Sequence, residues 1–413
     1  MKRVLGALET RMALQHELHG TTQTTSAVRL RAPLTAAQLW RAVGCLFRRH
    51  ALLRSRLQRS AAALWLSADA LQNDIEVRCT QGAHLGVEAL LSAAMADVLD
   101  PARALWRLHW HQLTGSDQHW LLLTCHHSIA DARSLVQLLN ELLQACQDSD
   151  GYAVQPAQPL PAPLERYQSA PPSSPVASSS HTCAWAHQRS CSLSQRRPAL
   201  QRCVLAPAHV AALRGHAQSI GVSLNALLGA ALLKAVGSVL GYWQVPLASA
   251  VDLRERVAQP VPRQQLGCYI GVAQSCLAAQ RVPLAQLALR YQASLREQLP
   301  SLAPALPSLA LAALRSRFAQ WASQAQFSQG MAITNHGLIG LDAGRWAILD
   351  YANVAARTSG HFALALHVSQ WQAQLSLCLV FTEPLLTQAD AAQVLVAVQQ
   401  QLNAALADTA EAS

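Results

Sequence analysis

The sequence is poor in charged residues and rich in apolar ones, which limits the classes of protein to which it can belong. Charged residues make up 13% of the chain and hydrophobic residues 51%, whereas charged residues make up about 25% of an average globular protein. This composition supplies ample material for a large core and argues against disorder over most of the chain.

The sequence also lacks the patterns of a secreted, membrane or zinc protein. Its 10 cysteines form no CxxC pair and no regular framework, which predicts reduced thiols. Glu9 and Arg11 interrupt what would be the apolar core of a signal peptide. Asn225 and Lys234 interrupt the Leu/Ala-rich residues 222–240, so no apolar run reaches transmembrane length. We therefore expect a cytoplasmic protein without a transmembrane segment.

The charge that is present is mostly positive. The formal net charge is +9, which favours an anionic partner such as a coenzyme A phosphate, an acidic carrier protein or nucleic acid. Nucleic-acid binding predicts a basic stripe or aromatics interleaved with lysine. The positive charge here is nearly all arginine, scattered singly or in pairs through apolar segments. We expect no nucleic-acid partner.

The length of 413 residues fits two lobes of roughly 150 to 200 residues each. Residues 151–198 are rich in proline, serine, alanine and glutamine, and the prolines exclude long regular elements. We interpret them as a crossover linker between a first lobe, residues 1–150, and a second lobe, residues 199–413. Strand-like and helix-like patterns occur in both halves, which predicts an α/β or α+β sandwich architecture.

The clearest local prediction is a hairpin that ends in two histidines. Residues 106–113 alternate between apolar and polar side chains, and residues 114–117 supply a turn. Residues 120–125 are almost continuously apolar, which is typical of a strand buried on both faces. His126 and His127 follow this strand, and leucines at helical spacing then predict a helix to about Cys146.

Other patterns predict a helix over residues 36–49 with Thr35 as its N-cap. They also predict a short strand over residues 52–57 and, in the second half, a strand over residues 347–354.

Two adjacent histidines at a strand end can include a general base. Backbone alternation points neighbouring side chains to opposite faces, so only one of them can readily face a pocket. An imidazole with an ordinary pKa near 6.5 is mostly neutral at pH 7 and can accept a proton. The spacing alone equally suits histidines with a structural role. No Cys, His or carboxylate pattern completes a metal site, and no GxSxG elbow supplies a serine nucleophile.

Six segments resemble a known superfamily. Residues 126–132 (HHSIADA) resemble the HHxxxDG motif of the acyltransferases that include chloramphenicol acetyltransferase, peptide-synthetase condensation domains, polyketide-associated acyltransferases and plant BAHD enzymes. The further matches, in family order, are residues 49–54 (RHALLR, similar to RHxxLR), 221–228 (GVSLNALL), 251–254 (VDLR), 266–269 (LGCY, similar to LGNY) and 334–337 (TNHG, similar to (S/T)NxG).

The resemblance implies a fold and a set of site residues. The fold implied is two chloramphenicol-acetyltransferase-like lobes in a V with a central channel. His127, the second histidine of the motif, is implied to be the general base. Asp131 and Arg254 are implied to pair and, with His126, to support the loop that presents it. Asn335 is a candidate contact for the acyl carbonyl or oxyanion.

The implied function is transfer of an acyl group from a coenzyme A or carrier-protein thioester to a hydroxyl or amine of a small-molecule acceptor, in natural-product or lipid biosynthesis. The resemblance implies no metal, nucleotide or flavin cofactor, and a monomer. The motif glycine is replaced by Ala132, and the plant DFGWG sequence is absent. Two alternatives remain open: an amide-forming condensation enzyme of the peptide-synthetase type, and a catalytically silent protein that docks carrier proteins.

Overall fold

The computed structural model describes residues 1–19, 22–82, 86–168, 183–184, 191–302, 309–323, 326–327, 330–355 and 362–411. Of the crossover expected at residues 151–198, residues 169–182 and 185–190 lie outside this description.

The strands are β1 (Lys2–Val4), β2 (Gln23–Arg31), β3 (Arg56–Arg59), β4 (Leu64–Ser67), β5 (Glu76–Gly82), β6 (Trp106–Leu113), β7 (Gln118–His126), β8 (Cys183–Ala184), β9 (Arg197–Leu205), β10 (Gln244–Asp252), β11 (Ile270–Ala278), β12 (Gln326–Phe327), β13 (Met331–Leu338), β14 (Ala347–Ala355), β15 (Leu364–Trp371) and β16 (Gln374–Glu383). The helices are α1 (Ala7–His19), α2 (Ala36–Arg49), α3 (Val87–Ala96), α4 (Ala132–Gln147), α5 (Ser149–Ala153), α6 (Pro207–Ser219), α7 (Leu224–Leu240), α8 (Leu284–Gln298), α9 (Leu311–Ser323) and α10 (Gln388–Glu411).

The first lobe is built on a five-stranded sheet in the order β14-β2-β7-β6-β5. Strand β7 lies in its middle and pairs antiparallel with both β2 and β6, which explains its almost continuous apolar sequence. The predicted hairpin of β6 and β7 is confirmed. Helix α2 begins at the predicted N-cap, where Thr35 and Gln38 form a capping box. Helices α2 and α4 pack together beside this sheet, and α3 packs against β2 and β7.

The second lobe is built on a six-stranded sheet in the order β11-β10-β13-β15-β16-β9. Its adjacent strands β10, β13 and β15 run parallel to one another. Helix α7 packs against α8 and α10 over this sheet and is buried along most of its length. Ser223 caps its N-terminus, and Gly241 ends it with a φ of +79°, a left-handed conformation that favours glycine. The architecture is therefore the predicted two-lobed α/β fold.

Strand β14 crosses from the second half of the sequence into the first lobe. It pairs antiparallel with β2 from Ala347, opposite Arg31, to Ala355, opposite Thr24. A hydrophobic cluster joins α3, β2 and β7 to β9, β14 and β16. Arg202 on β9 also forms an ion pair with Asp350 on β14 at 2.6 Å. The two lobes thus share a strand, a core cluster and a half-buried ion pair.

Some local predictions differ from the structure. The strand predicted over residues 52–57 is wrong in its first half, because residues Ala51–Arg54 form a 3₁₀ turn and β3 starts only at Arg56. Strands β5 and β11 and helices α8 and α9 were not predicted. Small residues on the buried face of β11, such as Gly271 and Ala273, hide its alternation.

Two further observations concern the environment of the chain. The nine cysteines whose side chains the structure describes are free thiols. Within the described ranges, no single helix has the length and apolarity needed to cross a membrane, although α6 and α7, which are bent by 98° at their junction, meet both criteria when taken together.

Candidate active site

The two adjacent histidines at the end of β7 lie in different surroundings. The backbone N–H of His126 bonds to the Leu105 carbonyl at 2.7 Å, and the N–H of His127 bonds to the Thr22 carbonyl at 2.8 Å. His127 lines the cavity between the lobes, and His126 does not. This separation follows from the alternation of side chains along extended backbone.

His126 is enclosed by protein and makes short-range polar contacts. Its Nδ1 accepts a hydrogen bond from the Ser128 N–H at 3.1 Å and lies 2.7 Å from the Ser128 hydroxyl. Its ring centroid is 4.4 Å from that of His16. Burial, with the neighbouring rings of His16 and His127, holds the pKa of His126 well below its usual range. His126 is therefore a neutral residue packed behind the loop that carries His127.

His127 is 8% exposed and opens on a cavity of about 520 Å³. Its Nδ1 lies 3.5 Å from the Sγ of Cys268, in the LGCY segment of the second lobe. Burial and the nearby carboxylate of Asp131 hold the pKa of the Cys268 thiol well above its usual range. Cys268 is thus a neutral contact of His127 and not a thiolate nucleophile.

Asp131 and Arg254 form a buried ion pair at the cavity wall. The carboxylate oxygens of Asp131 lie 2.8 and 3.0 Å from the guanidinium nitrogens of Arg254. Asp131 is also the N-cap of α4, where it accepts a hydrogen bond from the Ser134 N–H at 2.9 Å. The Tyr269 N–H donates to its second oxygen at 3.1 Å. One carboxylate therefore joins α4 of the first lobe to two segments of the second.

The electrostatics of the pair favour its charged form. Burial on its own would raise the pKa of Asp131, but the charge and hydrogen bonds of Arg254, with those of Ser134 and Tyr269, lower it. Burial on its own would likewise lower the pKa of Arg254, but Asp131 and the half-exposed Asp252 raise it. The pair is ionised at neutral pH, although the supporting role predicted for it is a matter for experiment.

Strand β13 supplies another wall of the cavity. Ala332, Thr334 and His336 line the cavity, whereas Ile333 lies in the core of the second lobe. Asn335, the predicted carbonyl contact, is exposed at the cavity wall, and its Oδ1 accepts a hydrogen bond from the Gly337 N–H at 2.9 Å. Its contact with an acyl group stays a prediction.

Sequence reasoning missed several residues of this cavity. His367 on β15 and the α1 residues Met12 and Gln15 line it beside His127. His336 lies inside the TNHG segment, in which the resemblance predicts a role for Asn335 and none for the histidine. The signal that could have identified His336 is a polar residue at every second position of the strand, here Thr334 and His336, in a segment that also carries the motif residue Asn335.

The described ranges contain no group of three or more His, Cys, Asp or Glu side chains placed to hold a metal ion.

Comparison with known proteins places this geometry in context. Residues 194–341, about a third of the chain, match the family described as the C-terminus of phthiocerol/phthiodiolone dimycocerosyl transferase. The structure of polyketide synthase associated protein 5 from Mycobacterium tuberculosis is similar with a TM-score of 0.69 and 19% sequence identity, over 97% of this chain and 96% of that chain. No curated protein matches the sequence.

Two synthetase domains are similar over the same length. The first condensation domain of the CDA synthetase has a TM-score of 0.68 and 14% identity, over 98% of this chain and 96% of that chain. The epimerization domain from the third module of tyrocidine synthetase B has a TM-score of 0.65 and 13% identity, over 98% and 97%.

The chain has the condensation-domain fold. The two-lobed fold implied by the sequence motifs is thereby confirmed, and the family match over residues 194–341 agrees with the resemblance from which that fold was inferred. At these identities the condensation fold does not by itself specify the reaction, because one fold can host different chemistries.

Proposed function

We propose that this protein is an acyltransferase that moves an acyl group from a thioester to a hydroxyl or amine, with His127 as the general base. The observation that carries the proposal is the position of His127 on the wall of the cavity between the lobes, directly after a buried strand. A cavity of about 520 Å³ lies within the range of about 300 to 1,000 Å³ typical of small-molecule sites.

The proposed reaction is a direct transfer with both substrates bound. The imidazole of His127 accepts the proton of the acceptor as its oxygen or nitrogen attacks the thioester carbonyl carbon. The carbonyl then re-forms, the C–S bond breaks, and the thiolate takes the proton from the imidazolium. General-base catalysis of this kind contributes about 10²- to 10⁴-fold, and holding the two substrates together supplies a further part of the rate. This chemistry requires no cofactor.

The surroundings of His127 support this assignment. The ion pair of Asp131 and Arg254 fixes the start of α4 against the second lobe, close to the end of β7. We propose that the pair positions the loop that carries His127. The donor is proposed to be acyl-coenzyme A or an acyl carrier protein, since both present a thioester on the same kind of flexible arm and the chain carries a net charge of +9.

The test compares the wild type with His127→Ala. Thiol release is measured from a panel of acyl-coenzyme A and acyl-carrier thioesters, with alcohol and amine acceptors present. We expect the wild type to turn over at least one donor and the variant to lose about 10²-fold or more in kcat. Equal turnover of the same donor by both proteins would contradict the role of His127.

The same panel separates the alternatives. An amide product formed only from two carrier-bound substrates would favour a peptide-synthetase-type condensation enzyme. Carrier binding without any turnover would favour a silent docking protein, for which Ala132 in place of the motif glycine is the one sequence feature.

A further inference from the structure

A pair of histidines from neighbouring strands lines the cavity together with His127. The rings of His336 on β13 and His367 on β15 have their centroids 5.7 Å apart and their planes within 12° of parallel. The Nε2 of His336 lies 3.4 Å from the Nδ1 of His367. Both rings contribute to the cavity wall, and the proposed transfer reaction gives neither of them a task.

A backbone amide fixes the position of the protons in this pair. The Ala355 N–H, at the end of β14, donates to the Nε2 of His367 at 3.3 Å. An amide can only donate, so the Nε2 of His367 is unprotonated and its proton lies on Nδ1. That Nδ1–H donates to the Nε2 of His336, which must then accept. The proton of a neutral His336 is therefore on its own Nδ1, at the far side of the ring from His367.

The strand places this ring on the cavity side. Thr334 and His336 line the cavity, as does the exposed Asn335 between them, while Ile333 is buried in the second-lobe core. The neighbouring Asn335 already uses its side-chain carbonyl to accept from the Gly337 N–H. His336 thus lines the cavity and carries an N–H donor. The position of its proton, on Nδ1, is determined by the contact with His367 and not by a substrate.

His336 also remains neutral near pH 7. Part of the residue is accessible from the cavity, but the surrounding protein encloses the ring, and this burial lowers the pKa of His336 to about 4. The carboxylate of Asp131 opposes the shift, and the nearby His127 adds to it. His127 and His336 line the same cavity, so one bound group can contact both imidazoles. The neutral N–H of His336 and the proposed base His127 therefore share the cavity.

We propose that the Nδ1–H of His336 donates a hydrogen bond to the carbonyl oxygen of the acyl thioester and stabilises the oxyanion that forms there. The inference rests on the proposed function. As the acceptor oxygen or nitrogen bonds to the carbonyl carbon, its proton goes to His127 and the π electrons go to the carbonyl oxygen. This oxyanion accepts from His336 until the C=O bond re-forms and the thiolate leaves with the proton of His127. His336 keeps its own proton throughout.

The first test replaces His336 and measures kcat and KM with a thioester that the wild type turns over. Removal of one preorganised oxyanion donor costs up to about 10² to 10³ in kcat, so we expect His336→Ala to lower kcat by at least tenfold, with KM changed much less. His336→Asn, which places an amide N–H near the position of Nδ1, should recover a part of this loss. His209→Asn, at a half-buried histidine of α6 outside the cavity lining, is the matched control and should keep wild-type kcat.

The second test reads the hydrogen bond to the carbonyl oxygen itself. A dithioester, in which sulfur replaces that oxygen, is a poorer hydrogen-bond acceptor. The ratio of kcat for the thioester to kcat for the dithioester should fall in His336→Ala relative to the wild type, because only the oxygen substrate loses a strong contact. A loss of kcat with an unchanged ratio would mean that the substitution acts through the shape of the site, and it would overturn the proposal.

A third test needs no substrate. In protein labelled with ¹⁵N at its 16 histidines, the signals absent from His336→Asn identify His336. We expect shifts of a neutral ring protonated on Nδ1 at pH 7, and His367→Phe should abolish this preference. A ring protonated on Nε2 would contradict the inference even if catalysis were found. If the wild type releases no thiol from any acyl donor, the proposed function is refuted. If His336→Ala keeps full activity while His127→Ala has none, only the role of His336 as a hydrogen-bond donor is refuted.

Discussion

At the scale of single residues, the ion pair of Asp131 and Arg254 makes the sharpest prediction about stability. Asp131 is 3% exposed and Arg254 2%. Asp131→Asn leaves the guanidinium buried with only the half-exposed Asp252 as a charged partner. Breaking a buried pair on one side costs about 3 to 5 kcal/mol. We expect a loss of this size in the free energy of unfolding, measured by urea denaturation at pH 7.

An exposed ion pair nearby provides the control. Arg133 and Asp252 lie 2.8 Å apart with side chains 41% and 42% exposed, and exposed pairs contribute about 0 to 1 kcal/mol. Arg133→Gln should therefore change the free energy of unfolding by less than about 1 kcal/mol. If Asp131→Asn proved no more costly than Arg133→Gln, the pair would not hold the site together.

The sequence predicts some of these residues better than others. The order of His126 and His127 after a buried strand already implies that only one can face a pocket, and the motif resemblance selects the second. His336 could not be assigned in this way. Its significance depends on His367 and on the Ala355 amide, which reach it through sheet pairing that local sequence does not encode.

At the scale of elements, the sequence predicts the secondary structure of those segments in which hydrophobicity differs clearly between the buried and the exposed face of the strand or helix. Strand β6 alternates between apolar and polar side chains, and residues 120–125 of β7 are almost continuously apolar, so the sequence predicts their hairpin. Strand β11 buries Gly271, Ala273 and Ser275, which carry too little hydrophobic contrast to reveal a strand. Strand β14 pairs with β2, which lies more than 300 residues earlier in the sequence. No local pattern predicts which lobe an apolar strand will join.

Glu141 on α4 connects three elements and gives a prediction for acid stability. Its Oε2 lies 2.5 Å from the Nε2 of His50, at the end of α2, and accepts from the Tyr152 hydroxyl of α5. Burial on its own would raise the pKa of Glu141, but hydrogen bonds from His50, Tyr152 and Gln137 lower it from 4.5 to about 2. A shift of this size corresponds to about 3 kcal/mol.

Because the pKa of Glu141 is lower in the folded protein, its stabilising effect is present above about pH 4.5 and is lost as the pH falls towards 2. The wild type should therefore exceed Glu141→Gln in unfolding free energy at pH 6, and the difference should shrink as the pH is lowered from 5 to 3. Thermal and urea unfolding followed by circular dichroism measure this difference. Glu255→Gln, at an exposed carboxylate, should show no such trend. A constant difference for Glu141→Gln would contradict the assignment.

At the scale of the whole molecule, the lobes are interlocked through β14. Tyr351 lies in the core of the first lobe, and its hydroxyl is 3.0 Å from that of Ser26. Ala352 and Val354 belong to the cluster that joins the two sheets. The strand thus completes the first sheet, while β13 and β15, which precede and follow it in the sequence, belong to the second sheet. The cavity lies at this junction, so the relative position of the lobes depends on a segment far from the first lobe in sequence.

This interlocking predicts that residues 1–150 do not form a stable domain alone. Without β14 the fragment leaves the edge of β2 unpaired and loses Tyr351. Truncation of a buried aromatic side chain alone costs about 3 to 5 kcal/mol, and the total stability of a folded protein is about 5 to 15 kcal/mol.

A fusion protein can test this prediction, because the end of α4 lies beside the missing segment: the side-chain amide of Gln147 donates to the Ala343 carbonyl at 2.8 Å. A short glycine-serine linker can therefore join residues 1–150 to residues 343–355. We expect urea unfolding of this fusion, followed by tryptophan fluorescence, to be more cooperative than that of the bare fragment. The same fusion with Tyr351→Asp is the matched control and should lose the gain. If the bare fragment unfolded cooperatively with the midpoint of the fusion, the first lobe would be independent of β14.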